Sequence, residues 1–224
     1  MLINLRNALM GGKRLPYDAE VEYLESDGNQ WFDVEIPYGS NTGIYADFIM
    51  LEASGFLFGA TRMGSDNTTD LKLMIAGGGK LRFDRYDRST RTFGPNLSQR
   101  QNFTFNPKGN ASSTPYRYYS SVSGRISQYD TWYSTPYQSS RGLFGLFHAV
   151  INTSPYFSDT PSKMRLYGFE LREYTSATAY TTTLKLTPVS VGGVGAMLDE
   201  ITGETHFNMG TGDFGIGPDI PSPV

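Results

Sequence analysis

Apolar and polar positions alternate with a period of two along most of the chain. Alternation of this kind places one set of side chains on the buried face of a sheet. Val21, Tyr23 and Glu25 begin one run, and Asp27-Gly28 reads as the turn that ends it. Trp31, Phe32, Val34 and Ile36 predict the next strand, closed by Pro37 and Gly39, with Trp31 as a core residue. Over 44–50 the apolar set is Ile44, Ala46, Phe48 and Met50, all on one face. Residues 56–60 form another strand, and 71–75 and 81–83 flank Gly77-Gly78-Gly79 as a hairpin. Phe103 and Phe105 mark a strand before Pro107 and Gly109, and 143–150 is apolar enough for a central position. Over 164–170 the pattern puts Met164, Leu166, Gly168 and Glu170 on one side, with Arg165, Tyr167, Phe169 and Leu171 on the other. A strand over 181–186 is closed by Pro188, and the Gly- and Pro-rich tail 192–224 has few periodic runs.

Two stretches depart from this period. Leu2, Ile3, Leu5, Ala8 and Leu9 recur at helical intervals and predict a short amphipathic helix over 2–10, stopped by Gly11-Gly12 and Pro16. A helix this short is not stable alone. Leu2, Leu5 and Leu9 are therefore candidate assembly residues, docking on the protein's own body or on a partner chain. Residues 111–140 are polar and rich in Ser, Thr and Tyr, with one strand near 118–122 and otherwise loop or edge structure. The reading is all-β: at least ten strands in two packed antiparallel sheets around a core about 10 Å thick. Residues 1–16 are a helix and linker, and 17–224 form a single domain.

Composition narrows the function. The 224 residues are 38% hydrophobic and 18% charged, long enough to bury a sizeable core. Fifteen Tyr, 14 Phe and two Trp favour half-buried pleated surfaces. The net charge is −3 and no block of Lys or Arg reaches five positions, which argues against a partner held through nucleic-acid phosphates. Cysteine is absent, so disulfides, thiolate catalysis and cysteine-ligated metals are excluded. Two histidines exclude a three-histidine metal site within one chain. No run approaches 18 apolar residues, so no membrane insertion by a helix is expected. The stretch 1–16 carries Arg6, Lys13 and Arg14 without an uninterrupted apolar core and does not read as a secretory signal.

Two segments carry more than pattern. One is Glu22-Tyr23-Leu24-Glu25-Ser26-Asp27-Gly28-Asn29-Gln30-Trp31-Phe32-Asp33-Val34. The other runs from Leu198-Asp199-Glu200-Ile201-Thr202-Gly203-Glu204 to Phe207-Asn208-Met209-Gly210-Thr211-Gly212-Asp213-Phe214 and Gly217-Pro218. Together they resemble the opening and closing motifs of a concanavalin A-like, laminin-G-like jelly-roll family found in bacteriophages, prophages and gut bacteria. Leu57-Phe58-Gly59-Ala60-Thr61-Arg62, Leu143-Phe144-Gly145-Leu146-Phe147, Lys163-Met164-Arg165-Leu166-Tyr167-Gly168-Phe169 and Leu186-Thr187-Pro188-Val189 resemble interior strands and a turn of that family. The resemblance covers about 18–219. It departs at Trp31-Phe32, at Val34-Glu35 and in the expanded stretch 111–140. It implies a jelly-roll sandwich and a virion module for capsid decoration, head fibre or tail, with other virion proteins or further copies of itself, as a trimer, for partners. The alternative it implies is a monomeric, lectin-like module of an extracellular or cell-surface protein that binds glycan.

Candidate chemistry is sparse. Glycoside hydrolysis needs two carboxyls about 5–9.5 Å apart, and no E-x-D-x-E strand supplies them. Glu22 and Glu25 do not share an extended face, and Asp84-Arg85-Tyr86-Asp87-Arg88 reads as a solvated turn. No G-x-S-x-G elbow occurs, and the glycine triplet lacks the Lys-Ser/Thr of a phosphate loop. His148 and His206 read as structural. Asp66 and Asp70 could reach a calcium ion but fit a polar turn better. No enzymatic activity, cofactor or metal is expected. Glycan recognition needs rings with polar groups beside them. The cluster Tyr116, Tyr118, Tyr119, Tyr129, Asp130, Trp132, Tyr133 and Tyr137 offers both, with Trp132 as the leading platform. The same rings suit a subunit contact, and both readings stay open.

Overall fold

A computed structural model describes residues 15–39, 41–61, 71–76, 80–85, 89–93, 97–108, 116–120, 125–129, 140–147, 150–151 and 161–221. The helix expected over 2–10, with Leu2, Leu5 and Leu9, lies outside them. Among the described residues there are strands and turns and no helix. The strands are β1 (Ala19–Glu20), β2 (Leu24–Asp27), β3 (Phe32–Tyr38), β4 (Thr42–Met50), β5 (Phe56–Thr61), β6 (Leu71–Ala76), β7 (Lys80–Arg85), β8 (Ser89–Phe93) and β9 (Arg100–Asn106). They continue with β10 (Tyr116–Ser120), β11 (Arg125–Tyr129), β12 (Ser140–Leu146), β13 (Val150–Ile151), β14 (Lys163–Tyr174), β15 (Tyr180–Val191), β16 (Val194–Asp199), β17 (Thr205–Phe207) and β18 (Gly215–Ile216).

Two sheets form. The larger has the order β11-β10-β9-β4-β14-β15-β16-β17, with β2 on the first part of β14, β18 on β2, and β1 on the end of β15. The smaller has the order β3-β12-β5-β6-β7-β8. Among the described strands pairing is antiparallel except for β13, which runs parallel to β5, and an isolated bridge between Phe56 and Pro161 is also parallel.

The sheets share one apolar core. Phe58 and Phe144 of the smaller sheet meet Phe103 and Phe169 of the larger, with Phe58–Phe169 centroids 5.2 Å apart and Phe144–Phe169 centroids 5.6 Å apart. Each fully buried ring contributes roughly 1.5–3 kcal/mol by leaving water. Ile44, Ala46, Phe48 and Met50 all face this core, as their alternation predicts.

The differences from the pattern have physical causes. Pro37 and Pro188 do not end their strands. β3 is an edge strand, where a missing N–H is tolerated. At Pro188, pairing with β14 is already over, and its carbonyl accepts from the Val21 amide at 3.0 Å. The first run breaks at Val21: Val21 and Leu24 are buried, whereas Tyr23 and Glu25 are only half-buried. Trp31 precedes its strand and packs, half-buried, against the core instead of entering it. Asp84 lies in β7 opposite Thr90, not in a turn. The Gly-rich tail holds β16, β17 and β18.

The most consequential difference is in β14. Met164 and Leu166 are buried, but so are Phe169 and Leu171, while Gly168 and Glu170 are not. A bulge makes the switch: Leu166 pairs with Phe48 and Gly168 with Asp47, so Tyr167 is the extra residue. One added residue moves every later side chain to the opposite face.

Candidate functional site

The bulge sets up the outer face of the larger sheet. Glu170 stands between Tyr45 of β4 and Lys185 of β15. In the next row Gly168 stands beside Asp47, one step before the Phe169–Leu186 pair. Gly168 carries no side chain, so this row has a gap. The gap is the floor of a cavity of about 230 Å³ walled by Tyr45, Asp47, Tyr167, Glu170, Lys185, Thr187 and Glu200.

Around it, guanidinium groups lie over tyrosine rings. Arg100 sits 3.7 Å from the Tyr167 ring centroid, Arg165 4.6 Å from that of Tyr23, and Arg172 4.8 Å and 4.7 Å from those of Tyr45 and Tyr180. Tyr23 and Tyr167 pack at 5.4 Å. Carboxylates hold the arginines in turn. Asp47 accepts two bonds from Arg100 at 3.0 Å each, a bidentate pair of fixed geometry. Glu25 accepts from Arg165, and Glu170 accepts from Arg172 at 2.7 Å. Glu200 accepts from Lys185 at 2.7 Å and from the Thr187 hydroxyl.

Electrostatics follow from this packing. Burial, with the nearby Asp47 carboxylate, pushes the Tyr45 phenol above its ordinary range. Burial also raises Tyr167, against the pull of Arg100 and Arg165. Both phenols are therefore neutral near pH 7. The hydrogen bond to Asp47 raises Arg100, which stays charged. The face offers fixed rings, neutral hydroxyls and oriented carboxylates. Asp47, Glu25, Glu170 and Glu200 each have a cationic partner that fixes their orientation.

The sequence points elsewhere for its candidates. Tyr116, Tyr118 and Tyr119 lie in β10 and Tyr129 in β11, at the far edge of the same sheet, with Tyr116 opposite Tyr129 and Tyr118 opposite Phe105. Asp130, Trp132, Tyr133 and Tyr137 lie outside the described residues, as do His148, Asp66 and Asp70. Glu22 pairs with Arg100 at 3.5 Å. Asp199 and Gly203 build a turn: the Asp199 carboxylate accepts from Lys185 N–H, Ile201 N–H and the Thr202 hydroxyl. Alternation places Tyr45 and Asp47 outward without marking them as a site, and its unbroken reading of 164–170 hides the gap at Gly168. A signal was present in the spacing of Leu166 and Phe169, three apart instead of two, which marks an inserted residue between two core positions. No protein-family model matches the chain, and no curated protein matches it.

Proposed function

We propose that the protein is a non-catalytic component of a bacteriophage virion, a capsid-decoration, head-fibre or tail module, built as a concanavalin A-like jelly roll and acting through surface contact. The observation that carries the contact reading is the outer face of the larger sheet, where Tyr23, Tyr45, Tyr167 and Tyr180 are stacked with Arg100, Arg165 and Arg172. Tyrosine and arginine are the residue types that dominate binding energy at interfaces. Rings already held in place lose little side-chain freedom when a partner arrives. The paired carboxylates support a non-catalytic role. The virion placement rests on the resemblance of 22–34 and 198–218 to the phage-associated motifs.

The test is protein mass spectrometry of purified phage particles produced by cells that encode the chain. Recovery in the particle band at a fixed ratio to the major capsid protein is the expected result. Particles that lack the chain, with the protein left in the soluble fraction, would overturn the virion reading. The cavity at Gly168 favours a second reading, a glycan-binding module of a bacterial or prophage surface protein, which does not need the particle.

A further inference from the structure

We infer that the cavity over Gly168 is a subsite for one neutral pyranose ring of a surface glycan, an inference that rests on reading this face as a contact surface. Size comes first. At about 230 Å³ the cavity falls below the roughly 300–1,000 Å³ of sites for drug-sized ligands, which leaves room for a single ring.

The wall chemistry selects the ring. Tyr45 and Tyr167 supply apolar ring surface for the C–H face of a sugar, and both are half-buried. Asp47, Glu170 and Glu200 supply carboxylate oxygens that accept from sugar hydroxyls, and Thr187 supplies a hydroxyl. These oxygens are positioned before any ligand arrives, because Arg100, Arg172 and Lys185 already fix them.

Charge sets the specificity. The walls hold three carboxylates and one ammonium. Arg100, Arg172 and Lys185 are each already engaged by Asp47, Glu170 and Glu200, so an anionic sugar such as a sialoside or uronate would face wall carboxylates without a cation left to pair with its own. A neutral hexoside or N-acetylhexosaminide meets acceptors for its hydroxyls and needs no cation to pair with.

Gly168 allows a sharp test. A Cβ built there meets only the Leu186 carbonyl oxygen, at 3.8 Å, so the first atom of a side chain has room on the cavity floor. The experiment is saturation-transfer NMR on the full chain with methyl pyranosides of glucose, galactose, mannose, N-acetylglucosamine and N-acetylgalactosamine, alongside methyl glucuronide and a sialoside. At least one neutral glycoside should bind with a dissociation constant on the order of 1 mM, and the anionic sugars should not. Gly168→Val should weaken binding about ten-fold or more, as should Tyr45→Ala, whereas Tyr45→Phe should keep most of it. Thermal melts verify that each variant is folded. Folded wild-type protein that binds none of the neutral glycosides overturns the inference, as does preference for the anionic sugars or undiminished binding by Gly168→Val. Sugar binding and particle recovery are read separately: a chain found in particles that ignores sugars refutes this subsite alone, and a sugar-binding chain absent from particles refutes the virion reading alone.

Discussion

The backbone N–H of Trp31 donates to the side-chain oxygen of Asn208 at 3.1 Å, across 177 positions of sequence. The same oxygen accepts from the Gly210 N–H at 2.8 Å, and the Asn208 amide nitrogen donates to the Gly212 carbonyl at 2.6 Å. Met209 N–H to Trp31 carbonyl and Thr211 N–H to Asn29 carbonyl complete a seam between the opening and closing segments. The seam bridges β3 of the smaller sheet and β17 of the larger.

Asn208→Ala removes three hydrogen bonds at once and leaves two partly buried N–H groups without their acceptor. The expected cost is about 1–3 kcal/mol. Urea unfolding should show a lower midpoint with an unchanged slope. Asn208→Asp keeps the acceptor, loses the donor to Gly212, and should fall between the two.

Two glycines predict opposite outcomes for the same change. A Cβ on Gly210 would overlap the Asn29 carbonyl oxygen and come within 3.0 Å of the Trp31 indole nitrogen. The seam would have to open, and overpacking of this kind costs about 1–3 kcal/mol or more. Gly168→Ala meets nothing closer than 3.8 Å and should shift stability by no more than about 0.5 kcal/mol. Paired thermal melts of the two variants check both expectations, and a Gly210→Ala melt matching that of wild type would contradict the close approach.

The sandwich was legible wherever alternation ran without interruption. Ile44, Ala46, Phe48 and Met50 announce their face because nothing breaks the period from Ile44 to Met50. The two end motifs mark Asn29–Trp31 and Asn208–Gly212 as special, but not that they touch, since a contact across the whole chain leaves no local signature. Prolines misled because their effect depends on the neighbour: Pro37 sits on an edge and Pro188 beyond the end of one pairing. The cavity was hidden for a related reason. It arises from a glycine beside a bulge, and only the register with β4 reveals that Gly168, not Tyr167, faces Asp47.

Gln101 sits on the core face of β9, opposite Phe48, and is 1% exposed. Neither its amide oxygen nor its amide nitrogen has a partner among the described residues. An unsatisfied buried amide costs about 1–3 kcal/mol. Gln101→Leu keeps the volume close and removes both polar atoms, so it should raise the melting temperature by a few degrees. A fall instead would mean that the amide is satisfied in solution.

His206 lies in β17 opposite Met197 and is half-buried. Burial lowers its pKa below the ordinary imidazole value of 6.5, outweighing the pull of the Glu204 and Asp199 carboxylates in the other direction. The folded protein therefore holds this ring neutral more firmly than the unfolded chain does. As pH falls through about 6.5 the unfolded chain takes up the proton first, so the stabilisation is complete above that pH and is lost as pH drops toward the folded value. His206→Gln removes this contribution. Denaturant midpoints of the two proteins, measured from pH 8 to pH 5, should converge toward the acid end because wild type loses stability faster. Parallel profiles, or an imidazole titration by NMR at or above the ordinary value, would show that burial does not govern this histidine.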